Sequence, residues 1–176
     1  MVPVMLTEDL AEELESVLGH LTLPSPPVGD GKIKVFRFGI PIEKTAVPAA
    51  AGKPGAPDAK VNVNAKEERM KKFPYVLVRP LEGNITGEKT DPQKVSMYLL
   101  VGVYDGDMDN RGKRHVLNVI NDICERFLKD PVLAGKYYAD SEMTWVMDDD
   151  EEYPYHYGAL WMTFNIPVFR REDRYA

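Results

Sequence analysis

The chain has a single cysteine, Cys124, and three histidines, His20, His115 and His156. One thiol excludes a disulfide framework within the chain, and histidines this scattered lack the spacing of a metal-ligand set. Cys124 falls on the apolar face of a predicted helix, where it reads as a small buried hydrophobe rather than a nucleophile. No apolar run approaches the roughly 20 residues a helix needs to cross a bilayer. The first residues, Met1 to Asp9, carry no basic stretch ahead of their short apolar patch. No secretory signal is read there, and the protein is expected in the cytosol where it is made. There is no Walker loop, no dinucleotide-binding glycine fingerprint and no nucleophile elbow. Positive charge is also short: 22 basic residues against 28 acidic leave a net charge of −6. That argues against gripping nucleic acid, because phosphates are held by Lys and Arg that displace counterions. It leaves room for a protein that lets DNA pass without holding it.

What is present is a well-patterned globular chain. Its 176 residues fit one domain, residues 1–176, able to bury roughly 70% of its unfolded surface. The organising stretch runs from Lys94 to Pro131. Val95 to Tyr104 is apolar, β-branched and aromatic, which predicts a buried central strand. The turn-rich Asp105 to Gly112 follows, then an amphipathic run from Lys113 to Lys129 stopped by Asp130-Pro131. In that run Val116, Ile120, Ile123 and Phe127 recur at helical spacing, with Leu117, Cys124 and Leu128 widening the stripe. A buried strand feeding such a helix is the core unit of an α-on-β layer.

The rest is arranged around it. Thr7 predicts the N-cap of a first helix, with Leu10, Leu14, Val17, Leu18 and Leu21 on one face and Gly19 near its end. Lys32 to Phe38 predicts a strand with one wet face. From about 44 to 64 the sequence is rich in Ala, Pro and Gly, with no bulky apolar residue between Pro48 and Pro57. Such a segment buries too little to offset its ordering entropy, and it is read as a flexible arm or loop. Lys66 to Lys72 predicts a short helical turn. Phe73 to Arg79 predicts a strand ended by Pro80, and Leu81 to Pro92 a polar loop. Val132 to Tyr138 reads as a turn and Met143 to Met147 as a strand. Tyr157 to Phe169 reads as a last strand alternating Leu160, Met162, Phe164 and Ile166 with Trp161, Thr163 and Asn165. The sum is an α+β fold, with an antiparallel or mixed sheet of about four to five strands flanked by two main helices.

Two acidic turns invite a chemical reading. Asp105, Asp107 and Asp109 alternate as the first ligands of a calcium loop do, but Asn110 stands where that loop needs Gly and Val116 where it needs Glu. Tight-turn chemistry ahead of a helix N-terminus accounts for them better. Asp148, Asp149, Asp150, Glu151 and Glu152 offer carboxylates for a metal-dependent phosphoesterase, yet adjacent acids repel one another, and a solvated loop is the simpler account. The aromatic run Tyr153, Tyr155, Tyr157 and Trp161 reads as a sheet face or a subunit interface, since a base-stacking platform needs nearby positive charge. No catalytic centre or cofactor site emerges, and the chain is not read as an enzyme.

The order of these parts resembles a known family. A first helix, "FPYVLVRP", "YLLVGVYD" running into "GKRHVLNVINDICERFLKDPVL", and then "DDDEEYPYHYGALWMTFNIPVFRR" are similar to the tail terminators among the tail-completion proteins of long-tailed bacteriophages. The resemblance covers about Phe73 to Arg171, and the Ala/Pro/Gly segment falls outside it. It implies a structural virion protein without catalytic residues, cofactor or membrane contact. Such a protein assembles as a homo-oligomeric ring, usually hexameric, on the last ring of tail-tube protein. The ring ends tube growth and meets the head–tail connector protein. By the same resemblance the protein is expected in the virion neck, and in the host cytoplasm or a prophage host during assembly. Acidic side chains facing the lumen would let DNA slide, so Asp105 to Asp109 or Asp148 to Glu152 are candidates to line it. The alternatives are another head–tail joining, neck or minor capsid protein and, less favoured, the phosphoesterase.

Overall fold

The computed structural model describes residues 2–41, 66–84, 93–109, 111–149 and 152–167. The elements in chain order are α1 (Val2–Leu18), β1 (Lys34–Arg37), a short α2 over 66–71, β2 (Tyr75–Asn84), β3 (Gln93–Tyr104), α3 (Gly112–Lys129), β4 (Val132–Leu133), β5 (Tyr137–Met147) and β6 (Tyr155–Ile166). They form an α+β fold around one six-stranded sheet of order β1-β2-β3-β6-β5-β4. The sheet is mixed: β1 runs parallel to β2, and every other pair is antiparallel. A parallel neighbour needs a crossover, which residues 38–74 with α2 supply. The expected four to five strands are thus six, because Val132 to Tyr138 is a tight β4–β5 hairpin rather than a plain turn. Ala134 and Gly135, both at positive φ, close it.

The strand expected from Val95 to Tyr104 is the sheet's centre, paired along its length with β6 from Gln93↔Ile166 to Tyr104↔Tyr155. Alternation sorts its two faces. Val95, Met97, Leu99, Val101 and Val103 join Leu160, Met162 and Phe164 in one core with α1 and α3. Within α3, Val116, Val119, Ile120, Ile123 and Phe127 are buried, each such side chain contributing about 1.5–3 kcal/mol of transfer free energy. Leu117 and Leu128 do not join the stripe: they are 38% and 62% exposed, because the buried arc extends instead to Val119 on the opposite flank. Gly158 lets α3 sit this close to β6, since a Cβ there would stand 2.6 Å from Val116 Cγ1.

Other expectations shift for local reasons. α1 begins at Val2, not at Thr7; the Thr7 side chain is buried, its hydroxyl donating to the Pro3 carbonyl at 2.8 Å. That bond back to residue i−4 satisfies the hydroxyl within the helix. β1 has no wet face: all four residues are half-buried, and Arg37 reaches Glu8 and Glu15 of α1 at 2.7 and 3.0 Å. β2 does not end at Pro80. It continues to Asn84 across a register shift between Pro80 and Glu82, an irregularity where a missing ladder donor is tolerated. The predicted arm at 44–64 and most of the loop expected from Leu81 to Pro92 lie outside the described residues.

Among the described residues, the opposite face of the sheet has no long helix on it. At one end it is covered by a second apolar cluster of Phe73, Tyr75 and Leu77, with Phe36, Ile40, Leu100, Tyr104, Tyr155 and Tyr157 packed against it. α2 lies at this end, through Arg69. The remainder of the face, around Tyr98, Ala159 and Val146, opens a shallow cleft of about 310 Å³.

Candidate functional site

Both acidic turns lie at the same end of the sheet, where β3 stops and β6 starts. The Asp105 N–H donates to the Pro154 carbonyl at 2.9 Å, and the Tyr153 hydroxyl donates to the Gly106 carbonyl at 2.8 Å. The first turn is self-capped. Asp105 Oδ1 accepts from the Asp107 N–H and Asp107 Oδ1 from the Asp109 N–H, so two carboxylates are spent on turn geometry. Asp105 is only 3% exposed, with His115 Nε2 at 3.8 Å from its other oxygen. A cleft of about 390 Å³ opens beside it, lined also by Asp107, Arg111, Arg114 and Asn118. Asp148 and Asp149 are exposed at the end of β5, and the Asp148 N–H donates to the Tyr157 carbonyl. Asp150 and Glu151 lie outside the described residues.

Charge at this end is less one-sided than the sequence implies. Arg111 pairs with Asp109 at 2.5 Å, and Arg69 stands 3.7 Å from Glu152. Arg69 also donates to the Tyr157 hydroxyl at 3.0 Å and lies over the Tyr155 ring at 4.7 Å. Arg79 sits over Tyr98 at the same distance, and Tyr98 meets Trp161 edge-on at 5.2 Å. The expectation that these aromatics lack cations nearby is therefore corrected: Arg69 and Arg79 each cap a ring. Nothing in the sequence marks Arg69, which is 88 positions from Tyr157.

The four aromatic candidates occupy different environments. Tyr153 is half-exposed. Tyr155 and Tyr157 are half-buried against Phe73, with ring centroids at 4.9 and 6.1 Å, and Trp161 is half-buried on the open face. Burial, with the Tyr157 phenol alongside, pushes the Tyr75 hydroxyl up to about 12. Burial raises Tyr155 as well. These phenols are neutral at physiological pH and serve as packing and hydrogen-bonding groups. Cys124 is half-buried, and burial pushes its thiol up, away from the reactive thiolate.

His156 is the polar residue the sequence reading passed over. It shares strand parity with Gly158 and Leu160, so alternation alone puts it on the helix side, where it is 6% exposed. The N-terminal turn of α3 rests on its ring: a Cβ at Gly112 would stand 1.8 Å from His156 Cδ2. Its Nε2 is buried without a hydrogen-bond partner among the described residues. Burial holds its pKa below the ordinary histidine value, the nearby Asp105 opposing and Lys113 and His115 reinforcing the shift.

Among the described residues, no three His, Cys, Asp or Glu side chains are grouped to hold a metal ion, and no helix is long and apolar enough to cross a membrane. Comparison with protein-family models and with curated proteins finds no match for the chain.

Proposed function

We propose that the chain is a ring-forming structural protein of a long-tailed bacteriophage or prophage, capping the tail tube and meeting the head connector. Sequence resemblance to tail terminators motivates the reading. The observation that carries it is the gathering of both acidic turns at one end of the sheet, tied by the bonds from Asp105 to Pro154 and from Tyr153 to Gly106. An acidic rim built from several subunits would repel phosphates and let DNA slide through the opening. Among the described residues, part of one sheet face and of the sheet edges is uncovered, and these would supply surface for neighbouring subunits. The partners are a second copy, the tail-tube protein and the connector, and the working location is the virion neck.

Deleting the gene in its phage and imaging the tails by negative stain tests this directly. Tails of uncontrolled length are the expected result. Normal tails lacking heads would instead assign a neck or joining role. The acidic rim is tested by Asp107→Lys and Asp149→Lys in otherwise wild-type particles, which should slow DNA ejection; unchanged ejection abandons the lubricating role.

A further inference from the structure

We infer that the first turn of α3, Gly112 to His115, is a proton-operated latch: it closes on a neutral His156 ring and lifts when that ring takes up a proton. The latch is a property of the single chain and does not rest on the ring reading.

This turn is the weak end of its helix. The N-cap residue Arg111 makes no side-chain capping bond, and the first turn contains no acid. It holds Lys113, Arg114 and His115 instead, basic groups at the end where the helix dipole is already positive. Of the four residues only Gly112 is buried. From Val116 onward the helix is anchored in the core through Val116, Val119, Ile120, Ile123 and Phe127, so the first turn can leave without the rest.

What holds the turn down is its contact with His156. A Cβ on Gly112 would stand 2.3 Å from His156 Nε2, which puts that nitrogen directly against the start of the helix. There it is buried, with no hydrogen-bond partner among the described residues. A neutral ring leaves one polar atom unsatisfied. A protonated ring buries an N–H without an acceptor and a charge facing the positive end of α3. Three charged groups act on it: Asp105, from the turn after β3, favours the proton, while Lys113 and His115 of α3 oppose it. Its β3 partner, Val103, is apolar. The Asp105 carboxylate is engaged elsewhere, one oxygen accepting from the Asp107 N–H at 3.0 Å and the other standing 3.8 Å from His115 Nε2. His115 differs from His156 in both respects. It already faces that carboxylate, and its side chain is partly open to water, so a proton on it meets a counter-charge without any movement. His156 gains water only when Gly112 lifts. Protonation therefore favours the open turn, by the same linkage that ties any depressed histidine to the state burying it.

Hydrogen exchange of the full chain, read by NMR as protection factors at pH 7.5 and pH 5, tests the latch. The amides of residues 116–118 bond back to carbonyls of the first turn. Their protection should fall about tenfold at pH 5, the scale set by an exposed histidine of ordinary pKa, while residues 120–128 keep theirs. His156→Gln should remove the difference, and His115→Gln should leave it in place. Unchanged protection of residues 116–118 in the wild type overturns the latch, as does a loss spread evenly along α3. A difference that survives in His156→Gln overturns His156 as its trigger. Should His156→Gln fail to fold, the wild type decides: the His156 ring proton and the Gly112 amide should shift with one shared midpoint below 6.5, and separate midpoints overturn the inference.

Discussion

His156 and Gly112 make one unit, a flat buried ring supporting the first turn of a helix whose positive dipole end disfavours a second positive charge. Because the folded pKa of His156 is depressed, the unfolded chain binds its proton first as pH falls. Stability from this residue is full above about 6.5 and is lost as pH falls through the folded value. Wild-type protein should show a lower urea midpoint at pH 5 than at pH 7.5, and His156→Gln should narrow that difference. An equal pH dependence in the two proteins would place the sensitivity elsewhere. Gly158 is the second narrow point. Gly158→Ala drives a methyl against Val116 Cγ1 and the Met147 sulfur, and overpacking of this kind costs about 1–3 kcal/mol. The loss is read from chemical denaturation. Neither position is visible in composition. Parity places His156 on the helix side, but only the distance of α3 from β6 shows why residues 112 and 158 carry no side chain.

Among the helices, α3 is tied to its surroundings through Arg126. Its Nε donates to Glu13 of α1 at 2.5 Å, its terminal nitrogens donate to the Asp130 and Val132 carbonyls, and its guanidinium lies over the Phe127 ring at 5.1 Å. Arg126→Ala removes charged bonds to three segments at once. It should lower stability by about 1.5–3 kcal/mol, whereas Lys129→Ala, whose partner Glu125 is exposed, should change it by about 0.5 kcal/mol or less. Thermal unfolding of the two variants makes the comparison. Long, strongly periodic elements such as β3, β6 and α3 were readable because a period of 2 or 3.6 repeats many times within them. β4 is two residues long and announces no period. β2 passes through Pro80 because the sheet is irregular there, a tertiary fact. In the candidate site the two acidic turns were readable from composition, but their meeting was not, since it depends on β3 and β6 being neighbours across 50 positions of chain.

On the scale of the whole molecule, if subunits of the proposed ring meet through exposed charged side chains, those contacts weaken as the screening length shortens from about 10 Å at 0.1 M salt to about 3 Å at 1 M. The assembled mass should therefore fall with sodium chloride, while the melting temperature of the separated subunit changes little. Contacts held mainly by Trp145 and Val146 would instead tighten in sulfate. The strand order carries a last consequence. β6 fills the gap between β3 and β5 and is the last of the described strands to leave the ribosome. Until it is made, the nascent sheet lies in two unjoined pieces, with the Tyr104 end of β3 and the Met147 end of β5 both lacking their shared partner. A truncated product that lacks β6 therefore cannot bring β3 and β5 together, and synthesis itself separates finished chains from incomplete ones.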